Sequence, residues 1–190
     1  VQDLQGVKIR TGRLRGGGPV ELEEGRFLDL TPDPIEGDAR RISVDYPALT
    51  ADVREGDRIL ISDGMIELKV KEVTEDRLLT CVVSGGLLRE RQGINLPGSQ
   101  VSVPALTEKD VRDIELGVRL GVDYMALSFV RRPDDLDALR RQQAEFDAEI
   151  PVIAKIETPV AVERLDQIIA ASEGIMVARG DLGVELSPED

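Results

Sequence analysis

The hydrophobic pattern of this chain changes its period near Pro104, and that change limits the possible folds more than any other feature. Before Pro104, apolar residues cluster in short runs separated by turn residues, which is typical of β-strands. After it, short apolar runs alternate with stretches in which apolar residues recur every three or four positions, which is typical of helices. The sequence therefore predicts a small all-β module followed by strand–helix repeats.

The all-β module is predicted between about Gly12 and Val101. Its clearest strands are expected over residues 58–61, 65–70 and 78–83, and the second of these alternates apolar and polar residues as a half-buried strand does. Asp63 and Gly64, between the first two strands, are a hairpin signal. We expect these strands to form a small barrel-like domain.

Three helices and three strands are predicted after Pro104. The first helix is expected to begin at Thr107, an N-cap residue followed by acidic residues in the first turn. The strands are predicted over residues 124–128, 152–154 and 175–178. The apolar faces of the three helices are predicted at Val111, Ile114 and Val118, at Leu136, Leu139 and Phe146, and at Val162, Leu165 and Ile169. Such repeats form parallel sheets covered by helices, and because a complete eight-stranded barrel takes about 250 residues, we expect only part of one here.

Polar side chains stand at the carboxyl end of each predicted strand of this second part. They are Ser128, then Lys155 and Glu157, then Arg179 and Asp181. Barrels and open α/β sheets place their active sites at this edge. The sequence therefore predicts a functional site there.

Lys155 and Glu157 are expected to point into the same space, because alternate residues of a strand share a face. A carboxylate there can hold magnesium, and an ammonium can neutralise a transferring phosphoryl group or an enolate. The alternative is a structural ion pair. Asp181 adds a second carboxylate beside Gly180, whose backbone could approach a ligand closely, although Asp181 could instead be the N-cap of a tight βα turn.

Composition excludes several kinds of chemistry. The chain has no histidine, which removes histidine-dependent triads and zinc sites, and it has no P-loop or kinase glycine-rich motif. A formal charge of −13 argues against binding to nucleic acid or an acidic membrane surface. One cysteine, with no signal peptide and no long apolar span, predicts a cytoplasmic protein.

Several segments together resemble pyruvate kinase, and the resemblance spans essentially the whole chain. The segments are residues 3–12, 94–98, 106–110, 152–158 and 176–183. The most specific motifs are Ala154-Lys155-Ile156-Glu157-Thr158 and Ala178-Arg179-Gly180-Asp181-Leu182-Gly183. The resemblance implies a partial TIM (β/α)8 barrel, with barrel segments at residues 1–12 and 102–190 and an inserted β-barrel lid at 13–101. It also implies that this chain ends before the barrel closes.

The implied activity is phosphoryl transfer from phosphoenolpyruvate to ADP, giving pyruvate and ATP at the last step of glycolysis. The resemblance implies that Lys155 stabilises the transferring group and the enolate, and that Glu157 and Asp181 bind Mg²⁺, or Mn²⁺ in its place. Gly180, Asp181, Ser128 and Lys155 would bind substrate, with the first two offering backbone amides to the pyruvate carboxylate. The whole enzyme is expected to be a homotetramer.

Residues nearer the amino terminus also match the family. Arg10 corresponds to a phosphate-contacting arginine, Asp3 to a monovalent-cation ligand, and Asp63 to a lid residue that approaches the metal and the nucleotide. Arg91 is not carried over from the family: as a basic residue of the all-β module it could reach a nucleotide phosphate, and the alternative is an ordinary solvated side chain. Lys8 stands where potassium-requiring members have glutamate, so we expect its ammonium to replace K⁺ and the enzyme to need no potassium.

Three further departures from the family pattern occur at Val7, Gln92 and Val160. Val7 replaces a proline, and Gln92 replaces a basic residue near the nucleotide. Nothing in the sequence explains Val160.

Two other functions are compatible with these residues. A magnesium-dependent aldolase or lyase acting on pyruvate enolate could also use a glutamate and an aspartate on consecutive strands, but such barrels generally lack the β insertion. Alternatively, the isolated chain is non-catalytic, either binding nucleotide or metal weakly or self-associating through exposed barrel edges.

Overall fold

The computed structural model describes residues 1–99 and 101–186. The chain divides into two compact units, and we name them the strand–helix unit, Val1–Lys8 with Val103–Asp190, and the β unit, Ile9–Ser102. The sequence places the corresponding borders after residues 12 and 101. In the part of the chain that is described, no helix combines the length and apolar character needed to cross a membrane.

The elements follow one another in two groups. The first strand and the β unit contain β1 (Gln2–Leu4), a 3₁₀ turn (Arg15–Gly17), β2 (Val20–Leu22), β3 (Phe27–Thr31), β4 (Arg41–Ser43), α1 (Leu49–Asp52), β5 (Arg58–Ile61), β6 (Ile66–Val73), β7 (Leu78–Ser84), β8 (Gly86–Leu88) and β9 (Ile94–Asn95). The remainder contains α2 (Glu108–Leu120), β10 (Met125–Leu127), α3 (Pro133–Ala144), β11 (Val152–Ile156), α4 (Pro159–Glu163), α5 (Leu165–Ala170), β12 (Gly174–Val177) and α6 (Arg179–Glu185).

The strand–helix unit is built on a four-stranded parallel sheet in the order β1-β10-β11-β12. Leu4, Leu127 and Ala154 lie in register across the first three strands and are fully buried. Buried side chains of the helices, such as Ile114 and Leu139, belong to the same hydrophobic core. The predicted parallel sheet packed against helices is confirmed.

Helix α2 begins where the sequence predicts. The Thr107 hydroxyl accepts a hydrogen bond from the Asp110 amide, and the Asp110 carboxylate accepts one from the Thr107 amide, which completes a capping box. The last helical residue is Leu120, and Gly121 forms the C-cap in a left-handed conformation.

The predicted face of the third helix is confirmed at Leu165, which packs against the core, but is wrong at Val162 and Ile169. The segment forms two short helices, α4 and α5, separated at Arg164, where the backbone leaves helical geometry. This break resets the phase, so that Ala161 and Ile168 are buried while Val162 and Ile169 are 41% and 46% exposed. Phe146 lies beyond the end of α3, although it still packs against the core.

The β unit contains a six-stranded sheet in the order β4-β3-β7-β6-β5-β9 and a two-stranded sheet of β2 and β8. The predicted hairpin between β5 and β6 is confirmed as an antiparallel pair. Its turn passes through Ser62 and Asp63, both with positive φ, before reaching Gly64. Most pairs in the larger sheet are antiparallel, but β3 and β4 run parallel.

Candidate active site

Lys155 is the centre of a polar cluster at the carboxyl edge of the parallel sheet. Its Nζ lies 2.8 Å from the Ser128 hydroxyl oxygen and 3.2 Å from Asp3 Oδ2. The Ser128 hydroxyl in turn donates to Asp3 Oδ1 at 3.4 Å. Since β1, β10 and β11 are neighbours in register, these three residues from distant parts of the sequence meet because of the sheet order.

Glu157 is the buried member of this cluster, with only 2% of its surface exposed. Its Oε1 lies 3.1 Å from the Lys155 ammonium, and its Oε2 accepts a hydrogen bond of 2.7 Å from the Phe129 amide. Phe129 has a φ of +55°, a strained conformation for a bulky residue and one that aims this amide at the carboxylate. In the sequence, the only signal of Phe129 is its position after Ser128 at a strand end.

The ammonium of Lys155 is held in its charged form. Burial by itself would lower the pKa of Lys155, but the neighbouring carboxylates of Glu157 and Asp3 outweigh burial, so that the pKa is raised above its ordinary value. Lys155 is therefore a fixed positive charge at neutral pH, and Glu157 has a charged partner in the interior.

Asp181 and Lys8 form a second pair in the same unit, with Lys8 Nζ 3.1 Å from Asp181 Oδ1. The ammonium of Lys8 also lies 5.9 Å from the centre of the Phe129 ring, a distance suited to a cation–π contact. Helix α6 has its N-cap at Ala178, so the interpretation of Asp181 as the N-cap is wrong. Gly180 and Asp181 instead lie in the first helical turn, where backbone amides lack intrahelical acceptors.

The carboxylates of Glu157 and Asp181 are donors of the kind that suits a hard divalent cation. Glu157 and Asp181 follow consecutive strands and offer carboxylate oxygens, the ligands that Mg²⁺ and Mn²⁺ prefer. No group of three or more histidine, cysteine, aspartate or glutamate residues suited to a metal occurs among residues 1–99 and 101–186. Magnesium is commonly held by one or two carboxylates with water and substrate oxygens completing its shell, so two carboxylates are sufficient.

The β unit contains the other predicted site residues. The Arg10 amide donates to Asp45 Oδ1 at 2.5 Å, and the Arg10 guanidinium donates to the Arg91 carbonyl oxygen at 3.1 Å. Burial raises the pKa of Asp45, although the Arg10 amide and the charges of Arg10 and Arg91 oppose that shift. Asp45 had no signal in the sequence.

Gln92 connects three segments of the β unit. Its side-chain oxygen accepts from the Arg89 amide at 2.9 Å, and its side-chain nitrogen donates to the Ser62 hydroxyl at 2.8 Å. Its backbone amide donates to the Thr11 hydroxyl at 3.0 Å. The residue that departs from the family pattern therefore ties the turn containing Asp63 to the loop containing Arg91.

The predicted site residues thus form two groups. In the strand–helix unit, Lys155 contacts Asp3, Ser128 and Glu157, while Lys8 contacts Asp181. In the β unit, Arg10 contacts the backbone of Arg91, and Asp63 is exposed beside the Ser62–Gln92 contact.

Comparisons with known proteins agree with one another. A family model described as pyruvate kinase, barrel domain, matches residues 1–190. Curated pyruvate kinases of Corynebacterium glutamicum and Thermotoga maritima are 45% and 47% identical over 188 residues, covering 99% of this chain but 39% and 40% of their own lengths. A crystal structure of a pyruvate kinase from Cryptosporidium parvum superposes with a TM-score of 0.91 at 37% identity, covering 98% of this chain and 40% of that one. The chain thus spans about two fifths of the length of these relatives.

Proposed function

The chain belongs to the pyruvate kinase family, and from this premise we propose that it carries catalytic residues of an enzyme that transfers a phosphoryl group from phosphoenolpyruvate to ADP. In this reaction the bond between phosphorus and the enol oxygen breaks, and a bond forms to a β-phosphate oxygen of ADP. The enolate left behind takes up a proton at its terminal carbon and becomes pyruvate. Negative charge therefore develops on the enol oxygen and is shared by the transferring group.

The observation that supports this proposal best is the position of the Lys155 ammonium. It is largely buried, it is held by Asp3, Ser128 and Glu157, and its raised pKa keeps it protonated. A fixed cation stabilises developing negative charge without having to reorganise during the reaction. Phosphoryl transfer depends mainly on such positioning and charge stabilisation.

Glu157 and Asp181 are the residues we assign to Mg²⁺, or to Mn²⁺ in its place. When bound, the metal would neutralise phosphate charge and orient the reacting oxygens. In the structure each carboxylate has a lysine partner at 3.1 Å, Lys155 for Glu157 and Lys8 for Asp181.

The carboxylate of phosphoenolpyruvate is assigned to the backbone amides of Gly180 and Asp181. First-turn amides point out of a helix and favour anions. The Ser128 hydroxyl already bridges Lys155 and Asp3, so it can orient the ammonium and contact substrate.

Residues 13–101, which make up most of the β unit, are proposed to be the lid that the family inserts into its TIM barrel, with residues 1–12 and 102–190 belonging to that barrel. Arg10 and Arg91 would supply positive charge for phosphates, and Asp63 would approach the metal and nucleotide. Exclusion of water by a lid favours transfer to ADP over hydrolysis. We further propose a cytoplasmic, homotetrameric enzyme that needs no potassium.

The test is a coupled assay of pyruvate formation from phosphoenolpyruvate and ADP with Mg²⁺. Both this chain and a full-length version are assayed in three forms: unsubstituted, Lys155→Met and Lys109→Met. Lys109→Met is the matched control, because Lys109 forms a surface pair with Asp113. We expect activity in the full-length protein, a loss of at least about 1000-fold on Lys155→Met, and little change on Lys109→Met.

Three outcomes discriminate between the candidate functions. Activity only in the full-length protein, lost on Lys155→Met, supports the kinase and means that this chain alone is an incomplete enzyme. A folded full-length protein that binds Mg²⁺ but forms no pyruvate from phosphoenolpyruvate and ADP contradicts the proposal and favours a lyase. Equal activity of the Lys155→Met variant would show that Lys155 is not the catalytic cation.

A further inference from the structure

Asp110 is a fully buried carboxylate that the proposed chemistry does not use. Its Oδ2 accepts hydrogen bonds from the Thr107 amide at 2.9 Å and from the Thr107 hydroxyl at 2.6 Å. Its Oδ1 accepts a third, at 3.2 Å, from the amide of Gly6, which lies 104 residues earlier in the sequence.

Capping of α2 does not by itself account for a buried carboxylate here. A capping box is usually completed by glutamate or glutamine, and a fully buried polar side chain normally has a hydrogen-bond partner for each of its polar atoms. What distinguishes Asp110 is the long-range bond to Gly6, because only a side chain with two acceptor oxygens can hold Thr107 and Gly6 at once.

Gly6 occupies a turn with little freedom to move. Its φ is +63°, and a Cβ at this position would lie 2.8 Å from the carbonyl oxygen of Ser128. The turn is therefore pressed against Ser128, whose hydroxyl contacts Lys155. A larger residue at this position would therefore clash with the backbone of Ser128.

The same turn connects Asp3, which belongs to the cluster around Lys155, to Lys8, which pairs with Asp181. Asp3 precedes it and lies 3.2 Å from the Lys155 ammonium, and Lys8 follows it and lies 3.1 Å from Asp181. The backbone conformation at Gly6 thus sets the relative positions of the Cα atoms of Asp3 and Lys8.

We infer that Asp110 is a positioning residue for the phosphoryl transfer proposed above, and this inference rests on that proposal. By holding the Gly6 amide, Asp110 keeps Asp3 against Lys155 and Lys8 against Asp181. It acts through the turn and touches neither substrate nor metal.

Asp110→Asn tests this role. An asparagine has one acceptor oxygen, which keeps two bonds if it faces Thr107 and one if it faces Gly6. The orientation with more bonds turns the NH2 group towards the Gly6 amide, so the bond to Gly6 is replaced by repulsion between two donors. In the full-length enzyme we expect kcat to fall at least tenfold while KM for ADP changes less than twofold.

Thr107→Ala is the matched control, because it weakens the cap of α2 but leaves the bond between Asp110 and Gly6. We expect it to lower the melting temperature by an amount similar to Asp110→Asn while kcat stays within twofold of the native enzyme. Gly6→Ala disturbs the same turn through a clash with the Ser128 carbonyl oxygen. The double variant of Gly6→Ala and Asp110→Asn should therefore lose no more activity than the less active of the two single variants.

Hydrogen exchange separates a failure of this inference from a failure of the proposed function. Residues 5–8 should exchange faster in Asp110→Asn and remain protected in Thr107→Ala, whether or not the enzyme is active. Equal kcat values for the two variants, or unchanged exchange in Asp110→Asn, would overturn the positioning role. An inactive native enzyme would overturn the proposed function, and exchange would still show whether Asp110 holds the turn.

Discussion

The two units place their candidate functional residues in different ways. In the strand–helix unit, side chains at the ends of neighbouring parallel strands contact one another directly, as Lys155 contacts Asp3 and Glu157. In the β unit, the candidates lie on loops and are held through backbone groups, as Arg10 is held by the Arg91 carbonyl. Strand ends and strand alternation therefore predict Ser128, Lys155 and Glu157 from sequence, whereas the candidates of the β unit depend on loop conformation.

Strands β5 and β6 of the β unit and strand β12 of the strand–helix unit differ in how completely their apolar side chains are buried. In the β unit, Ile59, Ile61, Ile66 and Leu68 are essentially inaccessible to solvent. In the strand–helix unit, the last strand of the parallel sheet, β12, leaves Ile175, Met176 and Val177 exposed by 39%, 41% and 54%. An exposed apolar edge strand of this kind tends to pair with a further strand.

Substitution of one isoleucine in each unit gives the largest effect that this comparison predicts. Ile66→Ala removes a fully packed side chain and should lower the free energy of unfolding of the β unit by about 2–5 kcal/mol. Ile175→Ala removes a side chain that is already partly exposed and should cost at most about 1 kcal/mol. Urea denaturation of both variants, followed by circular dichroism, measures the difference. Equal losses would mean that β12 is better buried in solution than its exposure indicates.

Gln92→Ala tests whether loops in the β unit are positioned through this one side chain. Loss of its bonds to Ser62 and Arg89 should release the turn containing Asp63, and we expect KM for ADP in the full-length enzyme to rise about tenfold, equivalent to about 1.4 kcal/mol. Ser62→Ala removes one of the same bonds and should show part of the effect, while Gln167→Ala on the exposed surface of α5 should show none. A KM that stays within twofold in Gln92→Ala would show that the loops hold their positions without it.

Strand–helix alternation predicts the elements of the parallel sheet well, and it also predicts which strand ends carry Ser128, Lys155 and Glu157. It could not predict that α4 and α5 break at Arg164, because a single non-helical residue shifts the phase without changing the local composition. The roles of Phe129 and Gln92 were also beyond it. Phe129 acts through a backbone amide in a strained conformation, and Gln92 through bonds to residues distant in sequence.

The resemblance to pyruvate kinase supplied Asp3, Lys8 and Arg10, which local pattern alone does not single out. The structure gives each a contact, but only Asp3 and Lys8 contact charged side chains of the strand-end cluster. Arg10 contacts the Asp45 carboxylate through its own backbone amide. Of the three residues that the resemblance supplied, the two whose side chains pair with a charged side chain of a candidate site residue, Asp3 and Lys8, thus both belong to the strand–helix unit.

The smallest expected effect is the response of the full-length enzyme to potassium. The Lys8 ammonium already lies 3.1 Å from Asp181 and beside the Phe129 ring, so a positive charge is in place without a bound ion. We expect adding KCl to a sodium-free assay to change the rate less than twofold, with tetramethylammonium chloride as the control for ionic strength. In Lys8→Met the Asp181 carboxylate loses the ammonium with which it forms an ion pair. Potassium should then raise the rate several-fold. A several-fold rise in the native enzyme would contradict this role for Lys8, because it would show that the ammonium leaves room and need for a free cation.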